Sequence, residues 1–159
     1  MMKYMEMVQQ CLDEGIAELM PWDLEERLQE NPDLLVLDVR EPYEYDALHI
    51  PGSLAVPRGI LETACEWDYE ETVPELVKAR KREIVVVCRS GYRSVLAAKA
   101  MQDLGYENVA SLKTGVRGWN DYEQPLQDQE EQVVDIDDAD DYFATPVRPD
   151  QLKPEGWEY

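Results

Sequence analysis

The sequence predicts an α/β domain built on a mainly parallel sheet. Three observations carry this. Leu34-Leu35-Val36-Leu37-Asp38-Val39 and Ile84-Val85-Val86-Val87 are near-continuous apolar runs of strand length, as in strands covered on both faces. Between such runs lie segments with helical spacing or helix punctuation. The alternation continues over about 110 residues, the size of one compact domain.

Taken in order, residues 3–13 place Tyr4, Met7, Val8 and Cys11 on one helical face, and Gly15 ends the helix. Ile16 to Met20 reads as a short strand. Trp22 to Leu28 reads as a helix with acidic residues in its first turn, stopped at Asn31-Pro32. The 34–39 strand ends at Asp38 and Arg40, and Glu41-Pro42-Tyr43-Glu44-Tyr45 starts a short helix. His49 to Ser53 is a turn and Leu54-Ala55-Val56 a short strand. Residues 57–81 hold two short helices around Leu61 and Leu76. After the 84–87 strand, Ala97, Ala100, Met101 and Leu104 mark a helix closed by Gly105. Asn108 to Leu112 is a further strand, and Thr114 to Trp119 turns into a last short helix.

The organisation expected is an N-terminal helix over 1–14, an α/β domain over 15–123 and an acidic extension over 124–159. The chain carries a net charge of −20, and residues 121–159 hold 13 acidic against 2 basic side chains. Such a surface repels nucleic acid and anionic membranes. The extension has four prolines and scattered apolar residues; it is not a packed domain and reads as a solvated extension that drapes over the domain or stays mobile. The sharper alternative is an arm docking a partner or a second copy, with Asp140-Asp141-Tyr142-Phe143 and Gly156-Trp157 as charged and aromatic anchors. No secretory leader pattern and no apolar run of spanning length is visible, so a cytoplasmic protein is expected.

Three cysteines, Cys11, Cys65 and Cys88, form no C-x-x-C pair, and the single histidine, His49, offers no metal constellation. No metal and no cofactor is expected. Cys11 falls on an apolar helical stripe and Cys65 among Glu62, Glu66, Asp68 and Glu70, which disfavour a thiolate. Cys88 differs. It ends an apolar strand and precedes a basic, glycine-containing turn and a helix, the position where open α/β sheets bind ligands. A free thiol with pKa about 8.5 is only roughly 3% thiolate at pH 7, so a nucleophilic cysteine needs positive surroundings. The helix N-terminus, the N–H groups of residues 89–93 and the guanidinium groups of Arg89 and Arg93 supply them without a histidine base. Gly91 suits a sharp bend with positive φ.

The stretch Cys88-Arg89-Ser90-Gly91-Tyr92-Arg93-Ser94 closely resembles the active-site loop of rhodanese-family sulfurtransferases. So do Leu37-Asp38-Val39-Arg40-Glu41-Pro42-Tyr43-Glu44-Tyr45, His49-Ile50-Pro51-Gly52-Ser53 and Gly115-Val116-Arg117-Gly118-Trp119, in family order over about residues 15–123. One departure is Leu48, where many members carry glycine. The resemblance implies a five-stranded parallel sheet flanked by helices. It also implies that Cys88 takes a sulfane sulfur as a persulfide from a donor such as thiosulfate or another persulfide, and passes it to a thiol or a protein sulfur acceptor. Arg89, Ser90, Gly91, Tyr92 and Arg93 would form the cradle, with Asp38, Arg40 and Ser94 as supports. His49 would be a structural hydrogen-bonding residue, and Arg117 and Trp119 packing and framing residues near the domain's end.

Besides a non-catalytic rhodanese-like binding domain, a reading weakened by the presence of the cysteine and its basic loop, two other functions compete. One is a sulfur relay or sensing module acting on protein partners, with little turnover of free thiosulfate. The other is a thiol-based phosphatase or arsenate reductase on a similar fold. Four residues separate Cys88 from Arg93, one fewer than in the phosphatase loop, which favours a single sulfur over a tetrahedral phosphate.

Overall fold

The computed structural model describes residues Met1–Tyr159. Thirteen elements follow one another along the chain: α1 (Tyr4–Asp13), β1 (Ala17–Leu19), α2 (Pro21–Glu30), β2 (Leu35–Asp38), α3 (Pro42–Ala47), β3 (Leu54–Ala55), α4 (Leu61–Ala64), α5 (Pro74–Val77), β4 (Glu83–Val87), α6 (Arg93–Asp103), β5 (Asn108–Leu112), α7 (Gly115–Asp121) and α8 (Ile136–Phe143). The five strands form one sheet in the order β1-β5-β4-β2-β3, and every neighbouring pair is parallel. The fold is a five-stranded parallel α/β sheet flanked by eight α-helices.

β4 lies at the centre, with Val86 opposite Leu37 on one side and opposite Ser111 on the other. Alternate side chains of a strand face opposite sides of a sheet, so each apolar run feeds two cores. Ile84, Val86, Leu35 and Leu37 face a core closed by Val8 of α1, Leu61 of α4, Leu76 of α5 and Val95, Ala98 and Met101 of α6. Val85, Val87 and Val36 face a second core, closed by Leu24 of α2 and by Trp119, Ala139 and Phe143 of the last two helices. This two-sided demand is why β2 and β4 are apolar without alternation.

Of the two forms expected for the segment after Tyr122, draped or mobile, its first part takes the draped one. Residues 124–143 are part of the second core. Leu126, Ala139 and Phe143 are buried, and α8 packs on α7. Gln127 forms antiparallel bridges with His49 and Val133, Trp119 Nε1 donates to the Pro125 carbonyl at 3.0 Å, and Asn120 Nδ2 donates to Asp140 Oδ1 at 2.6 Å. α7 is therefore not the last helix. Ala139 and Phe143, four residues apart, point inward while the acids of Asp137-Asp138 and Asp141 stay in water. Residues 144–159 are exposed throughout. Of the proposed aromatic anchors, Phe143 is turned into its own domain, whereas Trp157 remains on the surface, as does Tyr159 beyond it. No helix is long and apolar enough to cross a membrane.

Candidate active site

Cys88 follows directly on β4, at the carboxyl end of the central strand. Its side chain is buried to 1% exposure at the bottom of a cavity of about 150 Å³, whose walls include Arg89, Ser90, Tyr92 and Arg93. The chain then turns sharply and enters α6 at Arg93. Gly91 makes the turn at φ +93°, and its N–H donates to Cys88 Sγ at 3.1 Å. A Cβ at Gly91 would lie 2.8 Å from the Thr114 nitrogen and 3.0 Å from the Leu112 carbonyl oxygen, so only glycine fits both the dihedral and the space.

Support from behind comes from the first turn of α7. The N–H of Val116 donates to the Cys88 carbonyl at 2.8 Å and that of Arg117 to the Arg89 carbonyl at 3.0 Å. Gly115, at φ +64°, permits this approach: its Cβ position is 2.4 Å from the Cys88 carbonyl oxygen. The 88–94 loop is thus held between the N-terminal turns of two helices. Both turns direct N–H groups towards it, an arrangement that favours negative charge.

A buried chain of polar groups runs from the sulfur into the sheet. Ser94 Oγ lies 3.2 Å from Cys88 Sγ and 2.7 Å from Ser111 Oγ, and both serines are completely buried. A thiolate can only accept, so in that state Ser94 donates to the sulfur and Ser111 donates to Ser94. Ser94, expected as a support, is in contact with the sulfur. Ser111 was not singled out. Its only signal is a hydroxyl inside the Val109–Leu112 strand, on the side facing the loop.

The two arginines do not act alike. Arg93 turns to Glu44 of α3, donating from Nη1 and Nη2 to Oε1 and Oε2 at 2.9 and 3.0 Å. Those hydrogen bonds hold the guanidinium protonated above its ordinary range. Burial pushes the Glu44 carboxyl up, but the hydrogen bonds and charge of Arg93 outweigh it and hold the group below the usual carboxylate range. Arg89 reaches the other way, donating to the Phe143 carbonyl at 2.8 Å and lying over the Phe143 ring. Within the expected cradle of N–H groups from residues 89–93, the single one bonded to Sγ is that of Gly91. Charge support at the sulfur is therefore mostly backbone, with Arg93 tied to an acid.

Asp38 and Arg40 sit at the end of β2 and form a fully buried bidentate pair, with Nε to Oδ1 at 3.0 Å and Nη2 to Oδ2 at 2.9 Å. Arg40 Nη2 also donates to the Leu48 carbonyl at 2.7 Å. The pair pins the α3–β3 connection to the sheet and does not touch Cys88. It belongs to the frame that holds Glu44 in place. Leu48 is itself a core residue with extended backbone, so no glycine is needed there. His49 stacks on Tyr45 at 3.8 Å between centroids, and its Nδ1 lies 2.7 Å from the Tyr45 carbonyl. Trp119 packs in the second core, whereas the Arg117 side chain is exposed, contrary to its expected packing role.

Burial pushes the thiols of Cys65 and Cys11 up, which disfavours a nucleophilic role for either. Cys65 is completely enclosed in the first core. No three His, Cys, Asp or Glu side chains converge as metal ligands would.

Fold and loop together describe one class of protein, and the comparisons agree. Residues 21–122 match the rhodanese-like domain, and the chain belongs to that family. It is 33% identical over 105 residues to a Bacillus subtilis protein named "Putative sulfur carrier protein YrkF", covering 66% of this chain and 51% of that one. The chain thus spans about half the length of that relative. It is 30% identical over 103 residues to a protein named "Sulfurtransferase" from Allochromatium vinosum, covering 65% and 87% of the two chains. Among solved structures, one from Rhodopseudomonas palustris, described as a protein of unknown function and "Possible Tyrosine Phosphatase", superposes with a TM-score of 0.68. The two are 29% identical, over 79% of this chain and 94% of that one.

Proposed function

We propose that this protein is a sulfurtransferase in which Cys88 carries the sulfur. The Cys88 thiolate attacks the outer sulfur of a donor such as thiosulfate. A Cys88–sulfur bond forms, the donor's sulfur–sulfur bond breaks, and the electron pair leaves with sulfite. A thiol acceptor then attacks the outer sulfur of the persulfide as its thiolate, and Cys88 leaves as a thiolate. No oxidant or reductant is consumed. The observation that carries the reading is the environment of Sγ: a buried sulfur facing a small cavity and contacted by the Gly91 N–H and the Ser94 hydroxyl. Relatives named as a sulfur carrier and a sulfurtransferase support it.

A relay to protein partners is the second reading, supported by the sulfur-carrier name of the Bacillus relative and by the exposed acids Glu130, Glu131, Asp135, Asp137, Asp138, Asp140 and Asp141. Phosphoryl transfer has less support. Both Arg93 Nη atoms are bonded to Glu44, so its guanidinium is not free to clamp a phosphoryl group facing Cys88.

Intact-mass spectrometry after incubation with thiosulfate tests the proposal. Wild type gains the mass of one sulfur atom and Cys88→Ser gains none. The same gain in Cys88→Ser, carried by Cys11 or Cys65, refutes it.

A further inference from the structure

The cavity above Cys88 has one wall that does not come from the matched segment. Tyr4, the first residue of α1, lines it together with the loop residues. Its ring meets that of Tyr92 edge to face, with centroids 6.5 Å apart and planes at 89°. Cys88 is 1% exposed, whereas Tyr4 and Tyr92 are 47% and 45% exposed, which puts the sulfur at the base of the cavity and the two rings at its rim.

We propose that Tyr4 is a specificity-determining residue, forming with Tyr92 an aromatic gate that passes small sulfur donors to Cys88 and holds back bulky thiols. This deepens the sulfurtransferase reading and rests on it for the identity of the ligands. Its steric part stands on geometry alone.

Size is the first argument. A cavity of about 150 Å³ over a sulfur that is 1% exposed leaves a small, restricted approach to Cys88. A small sulfur anion brings little bulk to it. A peptide thiol has to bring its backbone past the two rings at the rim.

Attachment is the second argument. α1 is anchored by Val8, buried in the first core, and by Glu14 paired with Lys99 of α6 at 3.7 Å. Both anchors lie behind Tyr4 along the helix. The first turn itself carries exposed Met5 and Met7 and is closed locally by the Lys3 N–H donating to Glu6 at 2.8 Å. Tyr4 is therefore positioned by a docked helix yet stands on its open end, where a ring can swing aside.

Charge is the third. Burial, then proximity to Cys88, pushes the Tyr4 phenol up, so the ring stays neutral at physiological pH. On a chain of net charge −20, a neutral gate adds no further repulsion to an arriving anion.

The test compares Cys88 alkylation by iodoacetamide and by fluorescein maleimide in wild type, Tyr4→Ala, Tyr4→Phe and Tyr4→Trp, located by peptide mapping. Tyr4→Ala raises the bulky-to-small rate ratio by about ten-fold, the discrimination one side chain's bulk supplies. Tyr4→Phe keeps the wild-type ratio and Tyr4→Trp lowers it. A ratio unchanged by both Tyr4→Ala and Tyr4→Trp overturns the gate. Transfer from the Cys88 persulfide to glutathione, relative to cyanide, moves in the same direction. Failure of every variant, wild type included, to form a persulfide removes the sulfur-transfer reading, while the alkylation ratio still decides the gate.

Discussion

Glu44 on α3 grips Arg93 on the first turn of α6 through two hydrogen bonds, at 2.9 and 3.0 Å, so an acid from outside the loop fixes the loop's second arginine. The Glu44 side chain is 7% exposed and that of Arg93 36%. Glu44 has a folded pKa below its ordinary value of 4.5. Its contribution to stability is thus fully present above that value and is lost as pH falls through the folded pKa. Glu44→Gln mimics the protonated acid. At pH 7 it costs about 1 kcal/mol, the upper end for a pair whose arginine is a third exposed, and lowers Tm by about 2–4 °C. Thermal melts across pH will show the gap between wild type and Glu44→Gln closing below pH 4.5. A gap that persists unchanged at acid pH contradicts the pairing.

Ser94→Ala removes the hydroxyl between Cys88 Sγ and Ser111 Oγ and leaves a buried Ser111 hydroxyl without that partner. The cost to stability is about 1–3 kcal/mol. Loss of a hydrogen bond to an ionised sulfur slows persulfide formation by about ten-fold or more. A time course of thiosulfate-dependent mass gain checks the second part: Ser94→Ala gains its sulfur about ten-fold more slowly than wild type. An unchanged rate shows that the Ser94 hydroxyl does not assist the sulfur.

Gly91→Ala introduces a Cβ where φ is +93° and the Thr114 nitrogen is 2.8 Å away. The dihedral alone costs about 1–3 kcal/mol. The loop relieves the remaining clash by moving the Gly91 N–H off the sulfur, so the variant loses persulfide formation before it loses its fold. Thiosulfate-dependent mass gain together with circular dichroism separates the two effects.

Residues 124–143 and 144–159 behave oppositely on deletion. A chain ending at Thr145 keeps Leu126, Ala139 and Phe143, and its stability stays within about 0.5 kcal/mol of the full chain. A chain ending at Glu123 uncovers Trp119 and loses those three buried side chains, costing on the order of 5 kcal/mol. Chemical denaturation of both decides this. Only the shorter deletion is a fair test of partner docking through Trp157 and Tyr159.

Where burial is written into composition, the chain reads directly. Leu35–Asp38 and Glu83–Val87 carry apolar side chains on both faces, and the helices between them have proline, acidic or glycine punctuation at their ends. α8 escaped because five of its eight residues are aspartate or tyrosine, and its two inward residues are outvoted in any average over the segment. The loop Cys88 to Ser94 was recognisable because its residues are consecutive. Glu44, Ser111 and Tyr4 were not identified as its partners, since each arrives from a different element 49, 17 or more residues away. No local pattern records such a meeting.

The pairing of β5 with β4 and the clasp of α7 on the Cys88 and Arg89 carbonyls have a further consequence in time. A ribosome extrudes Cys88 before Ser111, Val116 and Arg117, and Trp119 is covered only when Phe143 follows. During synthesis the thiol therefore exists first as an ordinary cysteine at a frayed strand end, open to any oxidant or metal in reach. Its surroundings are completed last, by residues made after it, so each round of translation exposes this thiol before the fold can close around it.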